Sequence, residues 1–157
     1  MLCAMAITQF LHVSICVSDP ARSVPFYRDV LGFEVADIQH YKGPGPSKVM
    51  DVGDAELTVW LLRSGETRLE LIHFARPQSA SLSARPRTNS LGLSHLTVGV
   101  DDPDRTIAEL KARGVPVREH TRGTFVEGVP GYQFLFEDPD GFLIEAYTTW
   151  PDGAFPY

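Results

Sequence analysis

The chain carries the same punctuation twice. His12 is followed seven residues on by Asp19 and eight on by Pro20, and His95 is followed at the same spacings by Asp102 and Pro103. Gly32 comes 20 residues after His12, and Gly114 comes 19 after His95. Each Asp-Pro pair is preceded by strand-like alternation, with Leu11, Val13, Ile15 and Val17 on one face and His12, Ser14 and Cys16 on the other. In the second half Leu96, Val98 and Val100 oppose His95 and Thr97. The aspartates predict helix N-caps with proline near the first helical position, and the glycines predict the helix ends. The apolar stripes are Val24, Tyr27, Val30 and Leu31 in the first helix and Ile107, Leu110 and Ala112 in the second. A chain duplicated in this way folds as two like modules.

The remaining segments read as strands. In the first half a strand stub at 33–35 and a loop at 41–47 precede strands near 48–53, 55–63 and 67–74. In the second half strands fall near 115–119, 132–137 and 142–149, the last two joined by a turn at Asp138, Pro139, Asp140 and Gly141. The expected architecture is α+β: two tandem βαβββ modules spanning 1–75 and 91–149, a linker rich in Ser, Ala, Arg and Pro at 76–90, and a C-terminal tail at 150–157. The modules are too small to bury both faces of a sheet separately, so they are read as one integrated domain.

Charge and composition exclude several classes. With 14 Lys and Arg against 20 Asp and Glu, the net charge is −6 and no basic face is available for nucleic acid or an anionic membrane. No apolar run approaches the 18 or so residues of a membrane span, and the N-terminus lacks the basic start of a signal peptide. Two cysteines, Cys3 and Cys16, are too few for a disulfide framework and fit a reducing cytoplasm. The expected partner is a small-molecule substrate.

The chemistry lies in two strand-borne carboxylates. Glu70 stands between Leu69 and Leu71, and Glu145 between Ile144 and Ala146, where an unpaired charge is costly and a cation removes the cost. Each falls in the last strand of its module, as each histidine falls at the start of the first. Solvent-facing residues have no reason to recur at matching places, so His12, Glu70, His95 and Glu145 are read together as a metal site. Cys16, on the strand face of His12, is either a pocket-lining thiol or a small packed one. Trp60, Phe125, Tyr132 and Phe134 are candidates for lining a substrate pocket or the core. His40 and His120 sit where they could touch substrate, His73 lies on the strand face opposite Glu70, and residues 122–128 read as a mobile covering loop.

Four stretches carry a family resemblance: 18–33, 68–73, 94–98 and 137–145, the last reading Glu-Asp-Pro-Asp-Gly-Phe-Leu-Ile-Glu. On these the chain resembles the vicinal oxygen chelate superfamily, which includes glyoxalase I, methylmalonyl-CoA epimerase, fosfomycin-resistance enzymes and extradiol dioxygenases. The resemblance implies a cupped sheet around one divalent ion held by His12, Glu70, His95 and Glu145. Mn²⁺, Fe²⁺, Co²⁺, Ni²⁺ and Zn²⁺ all suit such a donor set. A carboxylate at Glu70 points to the isomerase branch, in which an enediolate is stabilised and Glu70 and Glu145 transfer protons α to a carbonyl. A cyclitol hydroxyketone such as 2-epi-5-epi-valiolone is the implied substrate type. Glyoxalase I chemistry on a hemithioacetal is an alternative, although Cys16 and Phe74 stand where its glutathione-binding arginine and asparagine are usual. An extradiol-type dioxygenase and a metal-free binding protein are further alternatives. The resemblance also implies a homodimer.

Overall fold

The computed structural model describes residues 8–80, 87–89, 91–124 and 132–148. The chain divides into two compact units, Met1–Ser79 and Ala80–Tyr157, each built on a four-stranded mixed sheet.

In the first unit β1 (Val13–Cys16) leads to α1 (Pro20–Pro25), β2 (Glu34–Lys42), α2 (Pro44–Val49), β3 (Glu56–Ser64) and β4 (Thr67–Arg76). The sheet order is β1-β4-β3-β2, with β1 parallel to β4 and the other pairs antiparallel. Asp19 caps α1, its Oδ1 accepting from the Ala21 N–H at 2.9 Å, with Pro20 in the first turn. Beyond Pro25, which has no N–H to donate, the helix widens into a π turn over Phe26–Val30, and the Leu31 N–H reaches back to the Phe26 carbonyl. Gly32 follows at φ +76°, a left-handed conformation that favours glycine. The buried helical residues are Ser23, Phe26 and Tyr27 rather than the whole expected stripe, because the π turn rotates Val30 and Leu31 away from the most buried face.

The structure departs from the sequence reading between 33 and 53. The short stub is a nine-residue β2, and the strand expected near 48–53 is the end of α2 and the turn after it. Pro44 fixes the first helical turn after Gly43. Ser47 then anchors the segment: its hydroxyl donates to the Gly43 carbonyl at 2.8 Å and accepts from the Ala55 N–H at 2.9 Å. Local hydrogen bonding thus overrides the strand propensity of Val49 and Val52.

β4 is covered on both faces. Leu69 and Leu71 are buried on the face shared with Ile15, Val17 and Leu62, and α1 contacts this strand. On the face bearing Glu70, Ile72 and Phe74 pack with Ala55, Leu57 and Val59, and Met50, Val52 and Leu61 lie against them.

The second unit repeats the plan with β5 (Leu96–Val100), α3 (Pro103–Ala112), β6 (Val117–Gly123), β7 (Gln133–Glu137) and β8 (Leu143–Thr148), in the order β5-β8-β7-β6. Asp102 caps α3 through the Arg105 N–H at 3.0 Å, and Ile107 and Leu110 are its buried residues, with Ala112 exposed. The β7–β8 turn is organised by Asp138, only 2% exposed, whose Oδ1 accepts from the N–H groups of Asp140 at 2.9 Å and Phe142 at 2.8 Å. Asp138→Ala strands both donors, and the expected loss is about 1–3 kcal/mol of unfolding free energy by urea denaturation. A variant within about 0.3 kcal/mol of the parent would show that the turn holds without that carboxylate.

Candidate metal centre

Parallel pairing sets each carboxylate beside a hydroxyl. In the first unit Ser14 on β1 is the register partner of Glu70 on β4, and its Oγ donates to Glu70 Oε2 at 2.9 Å. In the second unit Thr97 on β5 partners Glu145 on β8, and its Oγ1 donates to Glu145 Oε2 at 3.0 Å. The histidine two residues before each hydroxyl meets the same oxygen. His12 Nε2 lies 3.2 Å from Glu70 Oε2, and His95 Nε2 lies 3.6 Å from Glu145 Oε2. The carboxylate side chains are 20% and 14% exposed, so each is held between apolar strand neighbours yet open on one side.

The second pair carries a further constraint. Ser94 Oγ donates to the Thr88 carbonyl at 2.9 Å and lies 3.0 Å from His95 Nδ1. A hydroxyl has one proton, so with that proton on the Thr88 carbonyl it can only accept from Nδ1–H. In the neutral tautomer that carries this Nδ1 proton, the Nε2 lone pair faces the Glu145 carboxylate. In that tautomer two electron-rich atoms face each other, and a cation between them relieves the repulsion. Cis ligands each about 2.1 Å from a divalent ion lie about 3.0–3.5 Å apart, close to both His–Glu separations. The donor set therefore fits such an ion. Among the described residues no group of three or more His, Cys, Asp and Glu side chains gathers as a ready-made cage. Each unit holds one His–Glu pair.

In the first unit the His12–Glu70 pair opens onto a cavity of about 580 Å³, lined also by Ser14, residues of α2 and the facing residues of β2, β3 and β4. Cys16 pairs in register with Ile72 but is not among the residues lining this cavity. Its side chain is exposed, and partial burial pushes the thiol above its ordinary pKa.

Two aromatic candidates lie on the other face of their sheets. Trp60 pairs with Leu71 and Ile38, while Leu61 is the partner of Glu70. Phe134 pairs with Ala146, is 1% exposed and stands 6.2 Å from the ring of Phe136, while Leu135 is the partner of Glu145. Both belong to the core side, because a strand alternates its faces at every residue. Tyr132 is exposed: its N–H donates to Thr148 Oγ1 at 2.6 Å, and the Arg122 guanidinium lies 5.6 Å from the centre of its ring. His40 bonds Thr58 through Nδ1 at 2.9 Å, and Thr58 pairs with both His40 and His73, so both histidines lie on the face opposite Glu70. Phe125, most of the 122–128 loop and the C-terminal tail lie outside the described residues.

The sequence reading did not single out Ser14, Ser94 or Thr97. A hydroxyl two residues after each histidine was the available signal for Ser14 and Thr97. Nor did it single out the ion pair between Arg118 Nε and Glu137 Oε1, at 2.7 Å with both side chains 11% exposed. Arg118 partners Leu135, which partners Glu145, so this ion pair lies on the Glu145 face of the sheet.

The duplicated units and their matched donor pairs define a protein of paired βαβββ modules. The chain belongs to the Glyoxalase/Bleomycin resistance protein/Dioxygenase superfamily, which it matches over residues 9–146. It is 34% identical over 151 residues to a 2-epi-5-epi-valiolone epimerase from an Actinomyces species, covering 91% of this chain and 80% of that one. It is 25% identical over 134 residues to the mitochondrial methylmalonyl-CoA epimerase of Mus musculus, covering 85% of this chain and 69% of that one. Among solved structures, a Bacillus cereus glyoxalase family protein superposes with a TM-score of 0.76 at 21% identity, covering 92% of this chain and 98% of that one. The trypanothione-dependent glyoxalase I of Leishmania major superposes with a TM-score of 0.61 at 24% identity, covering 90% and 87%.

Proposed function

We propose that the chain is a divalent-metal-dependent isomerase of the epimerase type, moving a proton α to a carbonyl in a small α-hydroxyketone. The observation that carries this reading is the repeated juxtaposition of an imidazole nitrogen and a hydroxyl-anchored carboxylate oxygen, once per unit. His12, Glu70, His95 and Glu145 would hold one ion between them. When bound, the ion supplies Lewis-acid polarisation of the substrate's adjacent oxygens and so acidifies the neighbouring C–H. Glu70 and Glu145 divide the proton transfer: one removes the proton from one face of the carbon and the other returns a proton to the opposite face. Ser14 and Thr97 hold one oxygen of each carboxylate, which restricts its rotation, while Ser94 keeps the His95 Nε2 lone pair available. Similarity to two epimerases supports this chemistry, and an α-hydroxyketone supplies the required pair of oxygens.

The direct test follows C–H exchange by NMR in D₂O, using protein loaded in turn with Mn²⁺, Co²⁺ or Zn²⁺ and a panel of α-hydroxyketones. Exchange is expected in the parent, and Glu70→Gln or Glu145→Gln should slow it by about 100-fold or more. Full exchange in both variants, or none with any metal and substrate, would sink the proposal. The anchoring hydroxyls have a separate readout. Ser94→Ala and Thr97→Val are each expected to weaken Mn²⁺ binding by about 10-fold in calorimetric titrations. Unchanged dissociation constants in both would show that these hydroxyls orient nothing.

A further inference from the structure

We infer that the substrate carries an uncharged apolar arm next to its chelating oxygens, and that the arm lies in the first unit's cavity between Glu70 and α2. The inference rests on the proposed function and specifies the substrate class for the same site. The polar lining of the cavity is His12, Ser14 and Glu70 on β1 and β4 with Gln39 and Tyr41 on β2. Its far wall is Pro46, Val49 and Met50 of the α2 segment, and Leu57, Val59 and Ile72 close the sheet side. Val49, 82% exposed, is a large apolar side chain turned to an opening with nothing of the described unit covering it.

The polar groups along the cavity bond one another and their strand neighbours. The Tyr41 hydroxyl donates to Gln39 Oε1, and Gln39 Nε2 donates to Asp37 Oδ2 at 2.8 Å, so both ends of that amide have partners. The Ser14 proton goes to Glu70. Hydroxyls of a polyhydroxylated arm lying against Pro46, Val49, Met50, Leu57, Val59 and Ile72 would find no partner there, at a cost of about 1–3 kcal/mol for each stranded hydroxyl. Among the described residues no lysine or arginine lines the cavity, so a carboxylate or phosphate on the arm would lack a counter-charge there. An alkyl or aryl arm gains from the same wall. Within the α-hydroxyketone class, this favours alkyl- and aryl-substituted members over a polyol ring.

The test uses hydroxamates, which present two adjacent oxygens to a metal without undergoing the reaction. Affinity for the Mn²⁺-loaded full chain is measured calorimetrically for acetohydroxamate, its butyl and hexyl homologues, and a polyhydroxylated hydroxamate of matching length. Affinity is expected to rise roughly two- to fourfold per methylene over the first few carbons, with no comparable gain for the polyhydroxylated probe. Val49→Glu, at an exposed position that folding tolerates, should flatten the rise. A flat series in the parent, or an equal gain from the polyhydroxylated arm, would overturn the inference while leaving the metal centre standing. Failure of every hydroxamate to bind would remove the metal reading and this inference with it.

Discussion

The arrangement depends on one constraint: a carboxylate placed within an apolar strand must be given partners. Glu70 and Glu145 meet it identically, each on the last strand of its unit, each paired in parallel register with a hydroxyl-bearing residue. Parallel pairing of the first and last strands requires the chain to cross over between them. The intervening helix and hairpin strands provide that crossover and bury the opposite face of the sheet. The helix caps at Asp19 and Asp102, the glycines that end the helices and the tight β7–β8 turn serve the same register. A slip of one residue would exchange the carboxylate face for the core face.

The two units differ around this shared frame. In the first, α2 and the following segment fold onto the Glu70 face, fill its far half with apolar side chains and leave a cavity beside the donor pair. In the second, the Glu145 face carries the Arg118–Glu137 ion pair, and Ser94 Oγ lies against His95 Nδ1. The first unit thus has room and apolar surface beside its donor pair, and the second an ion pair on the face of its own.

Much of this was legible in the sequence because it depends on local rules. Asp-Pro and glycine punctuation placed the helices, and strand alternation placed His12 and Ser14 on one face. What escaped depended on longer-range register. Trp60 and Phe134 look like pocket aromatics until their antiparallel partners are counted. The Ser64–Thr67 and Glu137–Leu143 pairs at the hairpin turns put Leu61 and Leu135, not the aromatics, beside the glutamates. That count was available from the turns. The helix at Pro44–Val49 was harder to see, since its valines favour strand and its stability rests on Ser47 bonding to both Gly43 and Ala55. Ser94 escaped for a similar reason, because its role needs the Thr88 carbonyl brought close by the chain.

The central proposal is that one divalent ion takes donors from both His–Glu pairs. Isothermal titration with Mn²⁺ tests it most directly. The expected result is one ion per chain, with high-affinity binding abolished by either His12→Ala or His95→Ala. Two equal ions per chain, each lost independently with its own histidine, would contradict the claim.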